Sequence, residues 1–106
     1  MDRLTTLLQL HEKDPHDADL LYMIGHEHYQ SGRLEDARPW LERYAQVGQD
    51  TGRAWELVAE CLLEEGCESA ALEALQKGVA AALSSGHPTL AGELRARLSE
   101  IEAGEA

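Results

Sequence analysis

The sequence has no phenylalanine and few β-branched residues. Val, Ile and Thr together supply 9 of the 106 residues, whereas Leu supplies 17 and Ala 15. Leu and Ala favour helices, and β-branched residues favour strands. The composition therefore predicts an all-α protein. A chain of this length has room for about one domain with a single core.

Basic residues are scarce relative to acidic ones. The chain has 9 Lys and Arg against 20 Asp and Glu, so its formal net charge at pH 7 is −11. Binding to nucleic acid or to an anionic membrane requires clustered Lys and Arg, and a surplus of carboxylates opposes both. The sequence therefore argues against these two classes of partner.

Long apolar runs and dense cysteines are also absent. No apolar stretch approaches the roughly 18 residues of a membrane-spanning helix, and the N-terminal residues lack the pattern of a secretory signal. The two cysteines, Cys61 and Cys67, are six residues apart, which matches neither a zinc site nor a redox motif. We expect a cytoplasmic protein with reduced thiols, in which Cys61 is a small buried side chain and Cys67 is the more accessible thiol.

Turn-forming residues divide the chain into six segments that carry apolar residues at helical spacing. The turns are expected at Asp14-Pro15, Ser31-Gly32, Gly48-Gln49-Asp50, Glu65-Gly66 and Ser84-Ser85-Gly86. Helices are predicted over residues 2–13, 18–31, 35–47, 52–65, 68–83 and 88–102. None is apolar all round, so each must bury one face against its neighbours.

The segments repeat with a period of 34 residues. A shift by one period places large apolar residues mostly on large apolar ones and small residues on small ones. The matched pairs are Leu21 with Trp55, Ile24 with Val58, Gly25 with Ala59, His28 with Leu62, Gly32 with Gly66, Ala37 with Ala71 and Leu41 with Leu75. Small residues within the helices allow two antiparallel backbones to approach closely, and the glycines at the turns favour helix ends.

This pattern resembles the tetratricopeptide repeat family, whose helix–turn–helix unit carries W-x2-L-G-x2-Y, A-x3-F and P. The resemblance rests on LYMIGHEHYQSGRLEDARPWLERY at 21–44 and WELVAECLLEEGCESAALEALQKG at 55–78. It implies a right-handed α-solenoid of antiparallel helix pairs. The implied divisions are the second helix of a truncated leading repeat within 1–17, full repeats at 18–51 and 52–85, and a capping helix within 86–106.

The sequence departs from the family pattern at several positions. His28 stands where the family has Tyr, and Tyr44 stands where it has a small Ala. Pro39 falls inside the third predicted helix, where it implies a late helix start or a mild bend on the exposed side. His11, His16 and His87 lie near helix ends and are expected to contact solvent.

The resemblance also implies a binding surface, because first helices of successive repeats line a groove in this family. The groove positions carry over to Asp19, Tyr22, Met23, His26, Tyr29 and Gln30 in the first full repeat, and to Arg53, Glu56, Leu57, Glu60, Leu63 and Glu64 in the second. Tyr and Met provide adaptable contact area, and the glutamates line one helix face. The expected function is protein–protein interaction, with a peptide or helix that carries basic and apolar residues as the partner.

Two alternatives remain open at this stage. The chain could be an assembly module that forms a homodimer through its terminal helices. Alternatively, His26, Glu56 and Glu60 could hold a metal ion in a regulator. The sequence contains no standard metal-binding, phosphate-binding or nucleophile motif, so we expect neither enzymatic activity nor a metal or cofactor.

Overall fold

The computed structural model describes residues 2–47 and 50–104. Within these residues the chain forms six α-helices and no strand, which confirms the predicted all-α class. The helices are α1 (Arg3–Lys13), α2 (Ala18–Gln30), α3 (Leu34–Val47), α4 (Arg53–Glu64), α5 (Glu68–Ser84) and α6 (Pro88–Glu102). Each predicted end lies within one residue of the observed one. Gly48 and Gln49, predicted as part of a turn, lie outside the described residues, as do Met1 and 105–106.

Aspartates begin three of the helices by accepting hydrogen bonds from backbone amides that have no partner within the first turn. Asp2 accepts from the N–H of Thr5 at 2.8 Å, and Asp17 accepts from the N–H of Asp19 at 3.0 Å. The carboxylate of Asp50 accepts from the N–H groups of Gly52 and Ala54, both at 2.9 Å. These bonds locate the starts of α1, α2 and α4.

The 34-residue period is visible in the turns that follow α2 and α4. Gly32 and Gly66 adopt φ angles of +79° and +80°, a left-handed conformation that glycine adopts at low cost. The backbone amide after each glycine donates a hydrogen bond to a carbonyl in the last turns of the preceding helix. Arg33 N–H donates to the carbonyl of His28 at 2.9 Å, and Cys67 N–H donates to the carbonyl of Leu62 at 2.8 Å. The two repeats therefore end their first helices by the same hydrogen-bonded turn.

The helices form two layers, with α2, α4 and α6 in one and α1, α3 and α5 in the other. Each helix packs chiefly against the next one along the chain. The core lies between the layers and is built from the positions that the period aligned. The matched pairs Ile24 and Val58, Gly25 and Ala59, Ala37 and Ala71, and Leu41 and Leu75 are all buried.

Pro39 lies on the exposed side of α3, as expected. The helix begins at Leu34 and continues past the proline, so the interpretation of a late start is wrong. Pro39 has no N–H to donate to the carbonyl one turn earlier, and water can satisfy that carbonyl because this side of the helix is exposed.

Two aromatic contacts distinguish the N-terminal half. The Tyr44 ring, which replaces the family's small residue, lies 5.1 Å from the ring of Tyr22. His11 is half-buried rather than fully solvated: its ring packs edge-on at 5.0 Å from the ring of Trp40, and its Nδ1 is buried without a hydrogen-bond partner among the described residues. His16 and His87 are exposed, as expected.

Gly25 and Gly92 differ in the space around their Cα atoms, which predicts opposite effects of alanine substitution on stability. A Cβ added at Gly25 would lie 2.7 Å from Cγ of the fully buried Leu41, so Gly25→Ala should lower the free energy of unfolding by about 1–3 kcal/mol. A Cβ added at Gly92 in α6 meets nothing within 4 Å, so Gly92→Ala should raise it by up to about 1 kcal/mol through helix propensity. Urea unfolding of both variants measures the difference. A neutral or stabilising Gly25→Ala would contradict the packing described.

Candidate binding surface

The surface formed by α2, α4 and α6, here called the first-helix face, carries most of the residues predicted to bind a partner. The carboxylates of Glu56 and Glu60 on α4 lie close enough to Tyr29 on α2 to contribute to a raised pKa of its hydroxyl. Glu60 in turn pairs with Arg97 on α6. These relations place one side of each first helix next to the same side of its neighbour.

The α2 part of this face is aromatic. The rings of Tyr22 and His26 stack at 5.5 Å with an angle of 20° between their planes. Both side chains are half-buried, and so is Tyr29, one turn further on. Burial and then the nearby carboxylates of Glu60 and Glu56 raise the pKa of Tyr29, so its hydroxyl keeps its proton and can donate a hydrogen bond at neutral pH.

The other predicted positions take different environments. Met23 packs against the buried cluster of Leu7, Leu20 and Ile24, to which both α1 and α2 contribute. Leu57 and Leu63 are half-buried against the main core. Four further predicted residues are exposed: Asp19, Gln30, Arg53 and Glu64.

The α4 and α6 part of the face is held by two groups of ion pairs. In the first, the Arg53 cluster, Arg53 donates to Glu56 at 2.8 Å and to Glu93 at 2.9 Å. The glutamates raise the pKa of the Arg53 guanidinium, most strongly through the hydrogen bond to Glu56. The pair with Glu93 joins α4 to α6.

The second group is the Arg97 cluster. Arg97 donates two hydrogen bonds to Glu60, both at 2.9 Å, and a third to Glu100 at 3.1 Å. A two-point contact between a guanidinium and a carboxylate fixes orientation as well as distance. Glu60, one of the glutamates predicted to line this face of α4, is therefore paired with a cation on α6.

Sequence reasoning missed the residues that α6 contributes, because it treated this helix only as a cap. The exact period gave no guide to them, because one period beyond buried Val58 and Ala59 lie Gly92 and Glu93, which are exposed. Between α4 and α6 lies an open cleft of about 400 Å³, lined by Glu60, Leu63, Glu64, Gly66, Glu68 and Arg97. Half of these six residues are glutamates, and the guanidinium of Arg97 is already paired.

The structure does not assemble the suggested metal site. Among residues 2–47 and 50–104, no group of three His, Cys, Asp or Glu side chains is arranged to hold a metal ion.

Cys61 is fully buried, and this burial raises the pKa of its thiol to about 11. The reactive thiolate is thus disfavoured at neutral pH. Cys67 is exposed at the turn before α5.

The six helices lie within residues 2–47 and 50–104. None of them has both the length and the apolar character that crossing a bilayer requires.

Comparisons with known proteins agree with the repeat geometry. A family model described as tetratricopeptide repeat matches residues 4–61, which run from α1 into α4. Searches of curated proteins and of solved structures found no match to the chain.

The two ion pairs that join α4 to α6, Glu60–Arg97 and Arg53–Glu93, should differ in strength. Glu60 and Arg97 leave 29% and 26% of their side chains exposed, whereas Arg53 and Glu93 leave about half. Double-mutant cycles with Gln substitutions should give a coupling of about 1 kcal/mol for Glu60–Arg97 and less than about 0.5 kcal/mol for Arg53–Glu93. Urea unfolding supplies the values, and a larger coupling for Arg53–Glu93 would contradict this ranking.

The buried thiol predicts a loss of stability in alkali. Between about pH 9 and 11, Cys61 ionises in the unfolded chain but stays protonated in the folded one, so the unfolded chain binds fewer protons and stability falls as pH rises. From pH 7.5 to 10 this amounts to about 1 kcal/mol. Cys61→Ala should flatten this decline in urea unfolding under reducing conditions. The matched control is Cys67→Ala at the exposed cysteine, and an equal flattening there would refute the assignment.

Proposed function

The chain belongs to the tetratricopeptide repeat family, and from this premise we propose that its first-helix face binds a peptide or helix of a partner protein. Members of this family mediate protein–protein interactions and act as non-catalytic modules. The family sets the class of function, and the residues of the first-helix face determine which partner chemistry fits.

The observation that carries the proposal is the aromatic row on α2. Tyr22, His26 and Tyr29 are half-buried, so each ring is supported by the protein on one side and still presents surface to solvent. Such rings lose little side-chain entropy on binding, and tyrosine is enriched among residues that contribute most to interface affinity. The Arg53 and Arg97 clusters next to this row each contain one guanidinium and two carboxylates. Their net negative charge favours a partner with basic side chains.

Exposed residues at equivalent positions of the two repeats allow a test that leaves the core intact. Gln30 and Glu64 are one period apart at the ends of α2 and α4. Gln30→Arg/Glu64→Arg should abolish capture of a partner from native lysate, because it adds bulk and three units of positive charge to the first-helix face. Quantitative mass spectrometry compares the captured proteins.

The matched control is Gln9→Arg/Glu12→Arg, which makes the same chemical change on exposed positions of α1 in the other layer. Circular dichroism confirms that both variants fold. A partner retained by wild type and control but lost by the first variant supports the proposal. Equal retention, or recovery of this chain alone, rejects it and redirects attention to α1, where Leu10 leaves 45% of its surface exposed.

A further inference from the structure

The ion-pair clusters of the first-helix face are unbalanced in charge. Each contains one guanidinium and two carboxylates: Arg53 with Glu56 and Glu93, and Arg97 with Glu60 and Glu100. Each cluster therefore has one excess negative charge. Glu93 and Glu100 keep 51% and 50% of their side chains exposed, so their carboxylates remain open to a further hydrogen-bond donor.

The two excess charges are spaced by helix geometry. Arg53 and Glu60 are seven residues apart on α4, and Glu93 and Glu100 are seven residues apart on α6. Seven residues make about two helical turns and span about 10 Å, which returns the side chains to the same side of the helix. The first-helix face thus presents two negative clusters about 10 Å apart.

An apolar contact lies between the clusters. Leu57 follows Arg53 by one turn and precedes Glu60 by three residues, so it occupies the same side of α4. Its side chain is half-buried against the core and keeps a part exposed. The order along α4 is therefore charged, apolar, charged.

We propose that this face docks a helical segment of a partner protein with two basic side chains seven residues apart and an apolar residue between them. Each basic side chain completes one cluster to two cations and two carboxylates, and the apolar residue covers Leu57. A helix fits because it holds all three side chains on one face at the required spacing. This inference rests on the proposed function, since it specifies the partner chemistry for the same surface.

Synthetic peptides test the spacing directly. The probe is a fluorescein-labelled, Ala- and Gln-rich helical peptide with two Arg seven residues apart and a Leu between them. A comparison peptide of the same composition has its Arg residues five apart, which places them on different sides of the helix. Fluorescence anisotropy at low salt should show at least fivefold tighter binding of the first peptide, and the difference should shrink in high salt.

Two variants of the protein identify the site. Glu93→Gln/Glu100→Gln should remove the preference between the peptides, whereas Glu12→Gln/Glu102→Gln, which changes net charge equally at exposed positions outside the clusters, should keep it. Arg53→Gln should tighten binding of the first peptide severalfold because it frees two carboxylates. A variant that merely damaged the fold would weaken binding instead.

The inference is overturned if neither peptide binds, if both bind equally, or if Glu93→Gln/Glu100→Gln discriminates between them as well as wild type does. Its failure is separable from that of the proposed function. Loss of a native partner in Gln30→Arg/Glu64→Arg together with equal peptide binding would reject the charge spacing alone. Retention of all partners in that variant would reject the binding face itself.

Discussion

The fold depends on how closely α2 approaches α3 at Gly25. The space that a side chain would need there is occupied by Leu41, which is fully buried. A helix pair packed this tightly has little freedom in its crossing angle, because ridges and grooves must fit at the contact. At the matched positions of the second pair, Ala59 and Leu75 are both fully buried, so a small and a large residue again fill the space between the two helices of a pair.

The helix bounds and the buried positions could be predicted because they are local and periodic. Turn glycines and small residues recur 34 residues apart, and the same physical cause acts at each recurrence. The side-chain partners could not be predicted in this way. Arg97 reaches Glu60 across 37 residues and Arg53 reaches Glu93 across 40, and neither distance is a multiple of the period.

Met23 illustrates a related difficulty. The family pattern places it in the groove, but that pattern does not show that its half-buried side chain packs against a cluster containing Leu7 of α1. Likewise, the ring of His11 on α1 packs against the ring of Trp40 on α3. Positions at the edge of a repeat therefore depend on which neighbour is present, which a single repeat unit does not encode.

The two tryptophans give each repeat its own optical reporter. Trp40 belongs to the first full repeat, in contact with His11 and beneath the guanidinium of Arg43 at 5.3 Å. Trp55 belongs to the second, with the ammonium of Lys77 at 5.0 Å from its ring. Repeat proteins unfold through units that couple to their nearest neighbours. Replacing one indole at a time would therefore show whether the two halves lose their structure together or in sequence, without an added label.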